Sequence, residues 1–130
     1  MLSYRIDPVV GIVYIEGEQS GNIHEFSRLL GKVRSDPRYR PGFGLLRDRR
    51  ALPAMKTSLL RSDVAALLAF FGRESGRLAF VITDPANYGM ARMAGSLVDS
   101  SPSLVGIFDQ LEAAEQWLRE RPAPRGAHET

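Results

Sequence analysis

The spacing of apolar positions along this chain changes period several times, and the changes mark its elements. Leu2 to Asp7 alternates loosely and is broken by Asp7-Pro8, which predicts a short edge strand and a turn. Val9 to Glu18 is rich in β-branched and aromatic residues and runs to Gly17. It predicts a second strand, paired with the first as a hairpin. The period then becomes helical: Ile23, Phe26, Leu29, Leu30 and Val33 share one stripe, behind an Asn22/Glu25 pair that resembles a capping box in Asx form. Asp36-Pro37 ends that helix, and Pro37, Pro41 and Gly42 mark the loop after it.

Phe43 to Asp48 is a short apolar run that ends in Arg47-Asp48-Arg49-Arg50, a buried strand emerging at the surface. After a loop around Pro53, Leu60, Val64, Leu67, Leu68 and Phe71 form a second helical stripe. Thr57, Ser58 or Ser62 caps it, and Gly72 and Gly76 stop it. Leu78 to Thr83 is continuously apolar, as a strand covered on both faces requires. Asp84-Pro85 supplies an N-cap and a proline at the first helical position, ahead of Met90, Met93, Ala94 and Leu97. Leu104 to Phe108 is the last strand. Asp109 with Glu112 caps the final helix, with Phe108 and Ala113 at the staple positions and Leu111, Ala114 and Leu118 inward.

The predicted order is β-β-α-β-α-β-α-β-α. It describes a single α/β domain over residues 1–121, with a mainly parallel sheet after an initial hairpin. No internal repeat divides it. From Pro122 onward the composition is that of a tail, so residues 122–130 are expected to be disordered.

Composition then narrows the chemistry. The 130 residues include no cysteine, which excludes disulfides, thiolate metal sites and cysteine nucleophiles, and fits a reducing cytoplasm. The longest apolar stretches, Val9 to Ile15 and Val64 to Phe71, fall far short of the ~20 residues that span a bilayer. No basic segment followed by an apolar one opens the chain, so no signal peptide is expected and a cytoplasmic location is.

Net charge is only +2 but is unevenly spread. Residues 28 to 61 hold ten basic side chains (Arg28, Lys32, Arg34, Arg38, Arg40, Arg47, Arg49, Arg50, Lys56 and Arg61) against Asp36 and Asp48, a balance of +8. The segments before and after each carry −3. Such a block suits an anionic partner, although an arginine-rich solvated face accounts for it more plainly. Only Tyr39 and Phe43 interleave with these cations, so nucleic acid is not expected as a partner.

Three short runs carry a resemblance. Arg47-Asp48 ends the middle strand, Tyr88-Gly89-Met90-Ala91-Arg92-Met93 follows the Asp84-Pro85 cap, and Ile107-Phe108-Asp109 with Ala113, Ala114, Trp117 and Leu118 closes the domain. Over residues 4 to 119 the chain resembles the SpoIIAA-like group: the STAS domains of bacterial anti-sigma-factor antagonists and the related STAS/SEC14-type small proteins, in their uncharacterised branch. The resemblance implies a SpoIIAA-like fold and a regulatory or protein-interaction role. In the sigma-regulating members, the loop after the middle strand carries a phosphorylatable serine in an Asp-Ser-Ser-Gly-like run. That place here reads Arg49-Arg50-Ala51-Leu52-Pro53-Ala54-Met55-Lys56-Thr57-Ser58, so no matching residue inherits the switch.

Candidate chemistry is sparse. Histidine occurs only as His24, in a first helical turn, and His128, in the tail. No glycine-rich phosphate loop follows Gly42 and Gly44. Asp48, Asp84 and Asp109 sit beyond the C-terminal ends of predicted strands, where α/β ligand sites gather, but helix capping already explains Asp84 and Asp109. No catalytic constellation, cofactor or metal is expected. The residues singled out are Arg47, Arg49, Arg50 and Arg92, which at this edge suit an anionic ligand or an acidic partner. Pairing of Arg47 and Arg92 with Asp48, Asp84 or Asp99 is the competing account. Two functions follow. The first is a non-enzymatic interaction module that self-associates as a homodimer through Val9–Ile15 or Tyr88–Met93. The second is a carrier or sensor of a small anionic or lipid-like ligand in the SEC14 manner, with Met55, Met90 and Met93 adapting to it.

Overall fold

Nine elements follow one another in the expected order in the computed structural model, which describes residues 1–72, 76–99 and 104–120. They are β1 (Ser3–Asp7), β2 (Ile12–Glu16), α1 (Glu25–Ser35), β3 (Gly44–Asp48), α2 (Thr57–Phe71), β4 (Arg77–Val81), α3 (Pro85–Leu97), β5 (Leu104–Phe108) and α4 (Leu111–Arg119). The strands form one sheet in the order β1-β2-β3-β4-β5. β1 and β2 are antiparallel, with Ser3 opposite Glu16 and Asp7 opposite Ile12, and the remaining pairs are parallel. The tail expected over 122–130 lies outside the described residues.

Strand β2 starts three residues later than the apolar pattern suggests, because Asp7 organises a turn there. Its carboxylate accepts the N–H groups of Val9 (3.0 Å) and Val10 (3.3 Å), and its carbonyl accepts that of Gly11, whose φ of 75° suits glycine. Val9 is left 91% exposed at the tip.

A sequential strand order with connections of one hand puts the crossover helices on one face. There α1, α2 and α3 bury Val13, Ile15, Leu45, Leu78 and Phe80 beneath Phe26, Leu30, Leu60, Leu67, Met90 and Ala94. The other face, Ile12, Tyr14, Leu46, Ala79 and Val81, is covered by Ala114 and Leu118 of α4, with Trp117 partly buried beside them. Gly106 makes room for that helix: a Cβ there would lie 2.8 Å from Phe108 and 3.0 Å from Trp117. Arg77 stacks on Trp117 (4.8 Å) and donates to the carbonyls of Trp117 (2.6 Å) and Glu120 (2.8 Å), closing the C-terminus of α4.

Of the expected caps, only Asp84 forms as read, accepting the N–H of Asn87 at 3.0 Å with Pro85 behind it. His24 is the N-cap of α1. Asn22 instead accepts the His24 N–H (2.9 Å), and Glu25 reaches further back to the N–H groups of Ser20 (2.7 Å) and Leu2 (3.2 Å). The Glu25 carboxylate thus ties the edge strand to the helix, a contact that local spacing does not reveal. Lys56 precedes α2 without a side-chain cap, so Thr57, Ser58 and Ser62 lie inside the helix. Gln110, not Asp109, precedes α4, and Ala113 is exposed while Ala114 is buried.

Candidate functional site

Parallel strands direct their C-terminal ends, and the loops that follow, to one edge of the sheet, where α/β proteins collect their ligands. In this chain the β2–α1 loop (residues 17–24) and the β3–α2 loop (residues 49–56) flank a groove of about 510 Å³ at that edge. Glu18, Gln19, Ile23, Arg49, Met55 and Lys56 are among its walls. Beneath it lies a cavity of about 40 Å³, which shares Gln19 and Met55 with the groove and is also lined by Arg47 and Asp63. That volume admits water-sized guests and nothing as large as a lipid.

Three charged side chains are buried around this floor: Arg47 (6% exposed), Arg49 (3%) and Asp63 (8%). Burial of ionised groups is costly unless their hydrogen bonds are made, so the partners matter. Arg47 points to the same side as Leu45 and donates to the carbonyls of Ile15 (3.2 Å) and Gly17 (2.6 Å), fixing the exit of β2. Burial, and then the neighbouring Arg49, lower its pKa to about 10, which leaves it charged at neutral pH. Arg49 donates Nε to Oδ1 of Asn87 (2.9 Å) and an Nη to the carbonyl of Pro53. Asn87 is fully buried and donates to the carbonyl of Leu52 (2.7 Å) and to Asp84 Oδ1 (3.0 Å). Arg49 and Asn87 therefore knit the end of β3, its loop and the start of α3 into one network.

Asp63 faces inward from the second turn of α2, and Gln19 Nε2 donates to its Oδ1 at 3.2 Å. Burial pushes its pKa up to about 6, against the opposing pull of the Gln19 hydrogen bond, Arg47 and Arg49. The direct ion pairs among the described residues are Arg5–Glu16, Arg38–Asp36 and Arg50–Asp48, so Asp63 balances the two buried arginines only at longer range.

The four arginines singled out by sequence divide accordingly. Arg47 and Arg49 come together under the groove. Arg50 is exposed and forks onto Asp48 (3.0 and 2.7 Å), a pair that holds the Asp48 carboxyl below its usual range. Arg92 is exposed in the middle of α3, and among the described residues no hydrogen bond or ion pair joins it to the other three. Arg47 thus bonds to backbone carbonyls rather than to an aspartate. Asp84 is held as a cap, with its pKa lowered by the Asn87 N–H. It shares an open cleft of about 400 Å³ with Tyr88 and Asp109, while Asp48 is bound by Arg50. Among the described residues no group of three His, Asp or Glu is placed to hold a metal ion. His24 is exposed, and His128 lies outside the described residues.

Asp63 and Asn87 are not among the residues singled out by sequence. Both carry a signal: each is a polar residue on an apolar helical stripe, Asp63 between Leu60 and Leu67, and Asn87 three residues before Met90. The expected apolar patches shrink as well. Ile12, Val13, Tyr14 and Ile15 are buried, leaving Val9; Tyr88 (49%) and Met93 (39%) are exposed, whereas Met90 is core. No helix is long and apolar enough to cross a membrane among the described residues. Comparison with protein-family models, with curated proteins and with solved structures gives no match.

Proposed function

We propose that this chain is a non-enzymatic regulatory module of the STAS-like kind, working in the cytoplasm, which receives a segment of a partner protein in the groove between the β2–α1 and β3–α2 loops. One observation carries the reading: Arg47, Arg49 and Asp63 are buried beneath that groove, and the arginines bond to the loops that form it. Buried charges cost stability, and here they hold both rims in place ahead of binding. Self-association belongs to the same reading, with Tyr88 and Met93 as its exposed apolar side chains.

A second reading is a sensor of a small anionic ligand. It is favoured by Arg49 and Lys56 on the groove walls and by a volume inside the ~300–1,000 Å³ range of small-molecule sites. One experiment separates the two. A photo-crosslinking amino acid is placed at exposed Ala54 on the groove, and at exposed Glu112 on α4 as a control, in the native host. Protein adducts from position 54 alone are expected. Adducts absent from position 54, with a ligand mass retained in native mass spectrometry, would select the second reading. Neither adduct nor ligand refutes both.

A further inference from the structure

The basic block at residues 28–61 is only partly absorbed by the groove. Of its ten cations, Arg47 and Arg49 are buried, and Arg38 and Arg50 are neutralised by Asp36 and Asp48. Four of the remainder, Arg28, Lys32, Arg34 and Arg61, lie exposed on α1 and α2, which pack side by side on the sheet. Arg34 reaches across from α1 to the Phe70 ring of α2 at 4.7 Å and so marks the flank of α1 that meets α2, away from Arg28 and Lys32. The acids of these helices do not face out with the cations. Glu25 is turned back to the N–H groups of Ser20 and Leu2, and Asp63 is buried against Gln19. Arg28 and Lys32 therefore leave the outer side of α1 cationic, without a carboxylate of that helix beside them.

From this charge pattern we infer that the outer face of α1 docks an acidic helix of a partner protein. Arg28 and Lys32 are one helical turn apart, so Asp or Glu residues at the same spacing on an opposing helix meet both. The relief of the face agrees with a close helix. Gly31 is exposed between them, and a Cβ built there would meet open space, so internal packing does not explain a residue that weakens helices. Among the described residues the large exposed hydrophobic side chains (Met1, Val9, Ile23, Tyr88 and Met93) lie off α1 and α2. The face thus lacks the apolar wedge of a membrane-surface helix and the aromatic platform of a single-strand binder. A second copy of this chain meeting it through the same cationic face does not complement it.

The test is selection of single-helix peptides, displayed on phage with their outward positions randomised, against the full chain. Selected sequences are expected to be rich in Asp and Glu at i, i+4 spacing and to bind less tightly as salt rises. The Arg28→Glu/Lys32→Glu variant should lose at least tenfold in affinity. Gly31→Leu should do the same by blocking close approach, while Gly31→Ala stays within threefold. If the charge-reversed chain loses cooperative melting, the Arg28→Gln/Lys32→Gln variant must still show the tenfold loss. Neutral or apolar winners, or acidic winners indifferent to these substitutions, overturn the proposal. So does tighter retention of a 20-base-pair duplex or of phosphatidylglycerol vesicles than of the selected peptides, which would assign the face to nucleic acid or membrane.

Discussion

Replacing Asp63 by asparagine should stabilise this protein at neutral pH, although it removes a carboxylate that attracts two buried arginines. The folded carboxyl titrates at about 6 against an ordinary value of 3.8, a difference of about two units. At about 1.4 kcal/mol per unit, ionised Asp63 costs folding at most about 3 kcal/mol above pH 7. Solvent screening reduces this to about 1–3 kcal/mol. That cost already includes the attraction of Arg47 and Arg49, which are too distant to form a direct pair. Because folding favours the protonated form, the Asp63 contribution is fully present below about pH 4 and is lost as pH rises through about 6. The asparagine variant loses nothing over that window and keeps an oxygen for Gln19 Nε2. Urea titrations of both proteins from pH 3.5 to 8 measure the difference, in which titrations common to the two cancel. With m near 1–3 kcal/mol/M, the variant's midpoint at pH 7.5 should lie on the order of 1 M higher, and the gap should close towards pH 4. A variant less stable at pH 7.5, by an amount that does not change with pH, would refute this reasoning. It would show that the arginines require the Asp63 charge, where loss of a true buried pair costs about 3–5 kcal/mol.

Four further substitutions test the packing and the buried network. Asp84→Ala should lose about 1–2 kcal/mol in thermal melts, because the carboxylate both caps α3 and holds Asn87. Gly106→Ala should cost about 1–3 kcal/mol and change Trp117 fluorescence, since the added methyl meets Phe108 at 2.8 Å and Trp117 at 3.0 Å unless β5 or α4 shifts. Arg50→Ala should change stability by less than about 1 kcal/mol, whereas Asn87→Ala should cost about 2–3 kcal/mol by leaving Arg49 and the Leu52 carbonyl short of partners. For the same reason an Arg49→Ala/Arg50→Ala double variant reports on folding as well as on binding.

What the sequence determined by itself was the succession of elements. Period is a local property, and strands and helices sort apolar residues at spacings that survive any tertiary arrangement, so every strand and helix lies within a few residues of its expected place. The Asp84-Pro85 start of α3 was equally legible, because an N-cap and its target N–H are three residues apart. The other caps depended on distant partners. Glu25 bonds to Leu2, twenty-three residues away, and the start of α4 is set by how it packs on the face of β2, β3 and β4. The four arginines show the same division. Their spacing placed Arg47, Arg49 and Arg50 at a strand end, but burial was decided by what folds over that end. The carbonyls of Ile15, Gly17 and Pro53, together with Asn87, enclose Arg47 and Arg49, and Arg50 is left to a local pair with Asp48. Those acceptors lie in a strand, two loops and a helix, up to thirty-eight residues along the chain from the arginine they meet, and hydrogen bonds over that distance exist only once the sheet has brought the strand ends together.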